Sequence, residues 1–340
     1  MGNQAAPVVA RRTGVKALLG VAVSAGLLGY LLWSVELGQV GVHLAGTHWG
    51  YLGLSALLAL FSVWIRALRW GYLFPPGSRP AGLFSATMIG YMANNVLPLR
   101  AGEIVRVYVV ARHGAGSIWT ALATLVVERL LDALSLVLVL AGLILAIPVP
   151  RELRWAALGL LAVDLTAMGA LAALAAAPAT GRALIGRLAG RWPMIERRLA
   201  QGFDAFVRGL TGAWNLRRLL SIFIISALLW ILYALAAWTG LRAAHLSLPL
   251  TAAWAVLAFV GLGISLPSAP GFIGVFQAAA VLALALFDVP RSQALSFSLI
   301  FHASQFIPVT LAGWAFLMIE QVSLFQLHRS GVPEPEERGA

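Results

Sequence analysis

The feature that most constrains this chain is a set of six apolar stretches, each long enough to cross a bilayer as a helix. They cover residues 15–35, 49–70, 118–147, 155–176, 219–240 and 292–319. Hydrophobic residues make up 60% of the chain and charged residues 11%, proportions that exclude an ordinary soluble domain. We therefore predict an all-α, polytopic membrane helix bundle of about six to eight spans, with residues 15–319 as the membrane domain.

Two further apolar regions, 84–113 and 251–287, are interrupted by the motifs LPLRAG and LPSAPG. Proline removes a backbone donor and glycine permits a sharp reversal, so each region should form two short helices that meet at a break. Irregular backbone at membrane depth requires cover from protein or a watery cavity. We predict two broken or re-entrant helical hairpins, with breaks at Pro98, Gly102, Pro267, Pro270 and Gly271.

The two breaks belong to an internal repeat. A shift of 169 residues places Leu97 on Leu266 and Pro98 on Pro267, and the flanking helices then match approximately. Repeat one covers about residues 49–147 and repeat two about 219–319. Their leading helices are expected to run in opposite directions, which makes the repeats inverted. Inverted repeats with interrupted helices predict a transporter whose substrate site lies between the breaks, near the membrane midplane.

Basic residues predict the orientation, because cytoplasmic loops of membrane proteins are enriched in Lys and Arg. Those flanking the first two helices are Arg11, Arg12, Lys16, Arg66, Arg69 and Arg79. We expect residues 1–14, the linker 178–218 and the polar tail 320–340 to be cytoplasmic. The use of Arg with a single lysine, Lys16, favours a bacterial source and hence the bacterial inner membrane.

The linker carries an amphipathic pattern whose apolar residues recur every three or four positions. They are Trp192, Ile195, Leu199, Phe203, Phe206 and Leu210. The pattern predicts an interfacial helix that begins near Pro193. The helix could pack beneath the bundle or be attracted to anionic headgroups, and both interpretations can be true at once.

Three charged residues, Glu128, Arg129 and Asp132, lie inside one apolar stretch. Each costs about 2.5–3.5 kcal/mol at the centre of a membrane helix, so they should face protein or water. One arginine does not neutralise two carboxylates, and a further cation is expected from the first hairpin, either Arg100 or Arg106. The set is either an ion-pair cluster that fixes the hairpin or a cationic pocket for a lipid phosphate.

Other polar residues flank the breaks. Asn94 and Asn95 either form hydrogen bonds between helices or contact a headgroup. The second break is less charged, and His302 there is interpreted as a packed polar residue. Its polar complement comprises Ser265, Ser268, Gln277, His302 and Gln305.

Several classes of function are disfavoured by the motifs. The chain has no cysteine, no metal-spaced His/Asp/Glu set, no nucleotide-binding glycine loop and no nucleic-acid-binding motif to match its net charge of +11. We therefore expect no metal, no cofactor, no nucleic-acid partner and no enzymatic activity. A membrane-embedded lipid enzyme remains a less favoured alternative.

The motifs NNVLPLRAGEIVRVYVV, ERLLD and LPSAPGFIGVFQAAAVLAL together resemble the lysylphosphatidylglycerol synthase transmembrane-region family, also called flippase-like. The resemblance covers most of the chain and implies lipid handling. Two departures from the family pattern are Gln277, where many members have an acid, and FHASQ, where many have a Tyr-Arg pair. The residues to which the resemblance points are Asn95, Pro98, Gly102, Glu103, Arg106, Glu128, Arg129, Asp132, Pro267, Pro270 and Gly271.

The resemblance implies a stand-alone member without the aminoacyl-transferase domain, which is therefore expected not to make lysyl-phosphatidylglycerol by itself. The expected function is alternating-access translocation of an anionic phospholipid, glycolipid or polyprenyl-phosphate-linked lipid between leaflets. The alternative is a non-transporting membrane partner of a lipid or glycan synthase. Expected partners are anionic membrane lipids and such a synthase, with the oligomeric state left open.

Overall fold

The computed structural model describes residues 6–113, 117–211, 216–265 and 268–320, and these ranges fold as α-helices joined by short turns. Thirteen α-helices occur within them. In chain order they are α1 Ala6–Trp33, α2 Leu37–Ala45, α3 Trp49–Leu73, α4 Leu83–Val96, α5 Gly102–Arg112, α6 Ile118–Ala146, α7 Arg151–Ala176, α8 Pro178–Ala189, α9 Pro193–Thr211, α10 Leu216–Ala243, α11 Leu250–Gly263, α12 Val275–Ala285 and α13 Arg291–Ile319.

Five of these helices, α3, α6, α7, α10 and α13, are each long and apolar enough to cross a membrane. They correspond to five of the six stretches identified in the sequence. The first stretch differs, because after α1 the chain turns by 91° into α2, and a sixth span results only if this bent pair is counted as one. The predicted polytopic helical bundle is thus confirmed, with five to six spans among the described residues.

Both broken regions form helical hairpins. Helices α4 and α5 pack against each other and are joined by a 3-10 turn at Pro98–Arg100; α11 and α12 do the same around a turn at Pro270–Phe272. The longer arm of each hairpin has 14 residues, or about 21 Å, which is shorter than the hydrocarbon core of about 30 Å. Gly271 has a φ of 67°, the conformation that a sharp reversal requires. Pro267 lies outside the described residues.

The helix lengths repeat along the chain. Helices α4, α5 and α6 have 14, 11 and 29 residues, and α11, α12 and α13 have the same three lengths. Before the breaks, equivalent helices start 167 residues apart, and after the breaks they start 173 apart. The shift of 169 that aligns the two proline-glycine motifs therefore matches neither set of helices. The second break is six residues longer, so Gly102 begins α5 whereas Gly271 lies in the turn before α12.

Helices from the two halves pack in a reciprocal pattern. The leading helices α3 and α10 share the most extensive contact, α4 packs on α13, and α11 packs on α6. Each hairpin therefore lies against the last helix of the other half. The two hairpin turns meet, and the guanidinium of Arg100 lies 5.6 Å from the ring centroid of Phe272. This reciprocal packing supports an arrangement of two related units around a shared centre.

The linker forms the helices α8 and α9, which pack on each other. Helix α9 also lies against the start of α6, where a Cβ added at Gly202 would be 2.7 Å from the indole of Trp119. Thr120 Oγ1 donates to the carbonyl of Ala205 at 3.3 Å. The packing interpretation of the linker thus holds, while Trp192 and Ile195 remain exposed and membrane-surface contact stays a prediction.

Candidate functional site

Two carboxylates on one face of α6 organise a buried ion cluster. Glu128 is fully buried, and Asp132 follows one turn later. Arg66 Nη1 lies 2.8 Å from both Glu128 Oε1 and Asp132 Oδ2, and Arg69 Nη2 lies 2.6 Å from Asp132 Oδ1. Arg69 also donates to Ser226 Oγ on α10 at 3.2 Å. The cluster therefore ties α3 to α6 and to the leading helix of the second half.

The first hairpin joins this cluster through Arg106 on α5. Its guanidinium donates to Glu128 Oε2 and lies 3.8 Å from the ring centroid of Trp70. The Trp70 indole in turn donates to Thr124 Oγ1 at 3.0 Å. Arg106 is 2% exposed, so this contact fixes the hairpin against both α3 and α6 in a site closed to solvent.

Arg129 lies at the edge of the cluster, with 38% of its side chain exposed. It is 3.5 Å from Glu103 Oε1 on α5 and the same distance from Glu128 Oε1 and Asp132 Oδ2. These longer distances make its contacts weaker than those of Arg66, Arg69 and Arg106. Arg129 is thus the member of the cluster that is open to an incoming group.

The cluster carries an excess of positive charge. Four guanidinium groups, from Arg66, Arg69, Arg106 and Arg129, face the three carboxylates of Glu103, Glu128 and Asp132. Three of the guanidinium groups also have a buried Nε donor without a hydrogen-bond partner among the described residues; they are Arg69, Arg106 and Arg129. Glu103 Oε2 is likewise buried without a hydrogen-bond partner in the described ranges, so it is the net positive charge of the cluster that an anion would balance.

Arg66 and Arg69 belong to the cluster but were not predicted as site residues. They were expected to follow the second helix, whereas they lie inside α3 and are 6% and 0% exposed. Their spacing of three residues, which puts them on one face of a helix, was the available signal. Arg100 was one of two candidate cations for the carboxylates, but it adopts a φ of 56° at the hairpin tip and contacts Phe272 instead.

The two asparagines have different surroundings. Asn94 Oδ1 is buried without a hydrogen-bond partner in the described ranges, and it lies close to Gly102, where an added Cβ would be 2.6 Å away. Asn95 Nδ2 donates to Thr310 Oγ1 on α13 at 2.8 Å. Asn95 therefore makes the helix-to-helix hydrogen bond that was one of the two alternatives.

A cavity of about 200 Å³ lies where the two hairpin tips meet the long helices. Its aromatic lining consists of Tyr91, Tyr233, Phe272, Phe276, His302 and Phe306, and its polar side chains include Ser62, Asn95 and Gln305. Tyr91 and Tyr233 lie between the cavity and the ion cluster. Arg66 lies 5.7 Å from the ring centroid of Tyr91, and its Nε donates to the hydroxyl of Tyr233 at 3.2 Å.

Gln277 holds the second hairpin together rather than lining the cavity. Its Oε1 accepts from the backbone N–H of Gly274 at 2.7 Å, and its Nε2 lies 2.9 Å from His302 Nδ1. His302 stacks on Phe276 with ring centroids 4.3 Å apart. His302 is thus the packed polar residue that was expected, although one part of it borders the cavity.

Comparison with known proteins places the chain in a family. The family described as "Lysylphosphatidylglycerol synthase TM region" matches residues 17–313, a range that includes both hairpins, the ion cluster and the cavity. No curated protein and no solved structure matches the chain. Because the family match covers most of the sequence, the chain belongs to the lysylphosphatidylglycerol synthase TM region family.

Proposed function

We propose that this protein translocates an anionic lipid between the two leaflets of a membrane. The observation that carries the proposal is the buried cluster of four arginines and three carboxylates, which joins the first hairpin to α3 and α6 beside the cavity. A positive charge without compensation is unfavourable at membrane depth. A lipid phosphate at this place would supply the missing negative charge.

Arginine suits this role because its planar group donates two parallel hydrogen bonds to phosphate oxygens. Arg129 is the partly exposed member, and Arg100 lies nearby on the hairpin tip with an exposed side chain. We propose that the phosphate approaches these two residues first. The more deeply buried Arg106 holds the hairpin in the geometry that keeps Arg129 in place.

Alternating access is the mechanism that the architecture favours. Two hairpins of equal arm lengths meet tip to tip, and each packs on the last helix of the other half. In transporters built from inverted repeats, rocking of one unit against the other opens a central site to each side in turn. In this proposal the hairpins and the cavity form that central site, and the substrate undergoes no covalent change.

The proposed location is the inner membrane of a bacterial cell, with both termini and the α8–α9 linker in the cytoplasm. Arg11, Arg12 and Lys16, at or just before the start of the first apolar stretch, support this orientation, as do the arginines of the linker. Arg66 and Arg69 no longer support it, because they are buried inside α3. A lipid or glycan synthase that makes or uses the transported lipid is the proposed partner.

The test is reconstitution of the purified protein into liposomes with headgroup-labelled phospholipids, glycolipids and polyprenyl phosphates. We expect one anionic class to cross, and we expect Arg106→Ala to abolish its movement while the protein stays folded. Arg106→Lys keeps the positive charge but loses the planar guanidinium group, so its rate of lipid movement should lie between those of the unmodified protein and of Arg106→Ala. Arg151→Ala removes an exposed arginine at the start of α7 and serves as the matched control.

Two results would replace the proposal. If no lipid in a broad panel moves and the protein co-purifies with a lipid or glycan synthase, the function is that of a non-transporting partner. If a lipid headgroup is chemically altered in the liposomes, the protein is a membrane-embedded enzyme.

A further inference from the structure

The hydrogen-bonding groups of the cavity indicate what kind of headgroup it accepts. Most of the amide donors of its two amide side chains are already used: Gln305 Nε2 donates to both Ser55 and Ser304, and Asn95 Nδ2 donates one of its two N–H groups to Thr310. Within the described part of the chain, the amide oxygens of Asn95 and Gln305 accept no hydrogen bond. The cavity therefore presents two carbonyl acceptors to its contents, beside one N–H of Asn95 and the hydroxyl groups of Tyr91 and Tyr233.

Carbonyl acceptors disfavour an anion inside the cavity itself. Phosphate and carboxylate oxygens are acceptors too, so they would leave the oxygens of Asn95 and Gln305 without a donor. A buried acceptor without a donor costs about 1–3 kcal/mol. The contents of the cavity must instead bring donors, which leaves hydroxyl groups or an ammonium group.

An ammonium group is disfavoured by the arginines behind the cavity walls. Arg66 lies against Tyr91 and Tyr233, and Arg100 lies over the ring of Phe272. The electron-rich faces of two of these rings are thus already used by guanidinium groups. A cationic headgroup in the cavity would face like charges across a single layer of side chains.

Hydroxyl groups on an uncharged ring satisfy both conditions. Hydroxyls donate to the amide oxygens and accept from the tyrosine O–H groups, while the apolar faces of the ring pack against aromatic side chains. The volume of about 200 Å³ is below the range of about 300–1,000 Å³ typical of drug-sized ligands, and it suits one small ring.

The internal repeat supports the same division of roles. With the offset of 173 residues that relates α6 to α13, Arg129 and Asp132 correspond to His302 and Gln305. One half of the protein thus contributes the charged cluster. The other half contributes neutral hydrogen-bonding groups at the equivalent positions, and these line the cavity.

We infer that the transported lipid carries an uncharged, hydroxyl-rich ring, a sugar or a cyclitol, attached to its phosphate. The ring occupies the cavity between the hairpin tips, and the phosphate lies toward Arg100 and Arg129. This inference rests on the proposed function, because it names the headgroup of the lipid that the same site moves.

A transport experiment compares lipids that share a labelled acyl chain and differ in the headgroup. The probes are phosphatidylinositol, a glycosyl-phosphate lipid, phosphatidylserine and lysyl-phosphatidylglycerol in liposomes with the reconstituted protein. At least one of the two ring headgroups should move about tenfold faster than phosphatidylserine, and lysyl-phosphatidylglycerol should be the slowest. Comparison of the two ring headgroups distinguishes a cyclitol from a sugar. Equal rates for all four lipids would overturn the inference and leave the transport function standing.

Two variants test the cavity directly. Gln305→Leu removes an acceptor, and Tyr91→Phe removes only a hydroxyl group while keeping the ring against Arg66. Each should reduce the ratio of the transport rate of the ring headgroup to that of phosphatidylserine about tenfold. Thr166→Ala, at an exposed position on α7, is the control and should change neither rate.

A binding experiment tests whether the cavity accepts a hydroxyl-rich ring even if no lipid is transported. Thermal unfolding of the protein in detergent is measured with glycerophosphoinositol, a sugar phosphate or glycerophosphoserine. Stabilisation by either of the first two, which Gln305→Leu and Tyr91→Phe both remove, would support the cavity assignment independently of transport. Stabilisation by none of them, or only by glycerophosphoserine, would refute it.

Discussion

Glu128 is the residue on which the buried cluster depends most. It has no exposed surface, and it contacts Arg66, Arg69 and Arg106. Removing one partner of a buried ion pair leaves the remaining charge uncompensated, which is more harmful than removing both partners. The network therefore explains why a helix can carry two acids inside an apolar stretch.

From this follows a prediction for a double-mutant cycle. Glu128→Ala should lower the free energy of unfolding by about 3–5 kcal/mol, and the double variant with Arg106→Ala should lose less than the sum of the two single variants. Unfolding in detergent micelles provides the measurement. Asp204→Ala breaks the exposed pair with Arg182 and should have a smaller effect. Additive losses for Glu128 and Arg106 would show that the two residues do not interact.

The sequence could identify the acids of this cluster but not all of its arginines. Glu128 and Asp132 lie in the middle of a long apolar stretch, where burial against protein or water is the only acceptable outcome. Arg66 and Arg69 lie near the end of a different apolar stretch, residues 49–70, and a long side chain at that place can also extend to the headgroup region. Only the packing of α3 on α6, which no local pattern encodes, decides between these outcomes.

At the scale of the elements, the first hairpin depends on a close approach of its two arms. A Cβ at Gly90 would lie 2.9 Å from Cβ of Arg106 and 3.1 Å from the carbonyl oxygen of Gly102. A Cβ at Gly102 would collide with the carbonyl oxygen of Gly90. These glycines allow α4 and α5 to meet so closely that Arg106 reaches Glu128.

Gly102→Ala should therefore separate the two arms. We expect a loss of about 1–3 kcal/mol in unfolding free energy, together with slower lipid movement. Gly169→Ala on α7 is the matched control, because a Cβ there meets nothing within 4 Å. It should be neutral or stabilise by up to about 1 kcal/mol. Equal effects of the two substitutions would show that the close approach is not required.

The elements were the part of the fold most accessible from sequence. An apolar run sets the length of a membrane helix, so the predicted and observed ends of α3, α6 and α10 differ by only a few residues. The offset between the two repeats was harder to predict. The similar motifs LPLRAG and LPSAPG suggest an offset of 169 residues, whereas the helices are offset by 167 residues before the breaks and by 173 after them. The bend between α1 and α2 was not predicted, since its only local mark is the pair of polar residues Ser34 and Glu36.

At the scale of the whole molecule, the inverted arrangement predicts that equivalent loops lie on opposite sides of the membrane. Ser78 follows α3, and Ser247 follows its counterpart α10. The chain has no cysteine, so Ser78→Cys and Ser247→Cys each provide one unambiguous site. A membrane-impermeant thiol reagent should label Ser78→Cys from the cytoplasmic side and Ser247→Cys from the other. Labelling of both from the same side would rule out inversion.

The contact between the hairpin tips is central to the account, because alternating access requires the tips to separate during each cycle. The two turns approach within 8 Å between Cα atoms, and Arg100 lies over Phe272 there. The most direct measurement is lipid movement in liposomes by the double variant Arg100→Cys/Phe272→Cys, before and after reaction with a short, reducible thiol cross-linker. Movement should stop when the tips are linked and return when the linker is reduced, while each single cysteine variant should not respond. Undiminished movement with the tips linked would contradict the account.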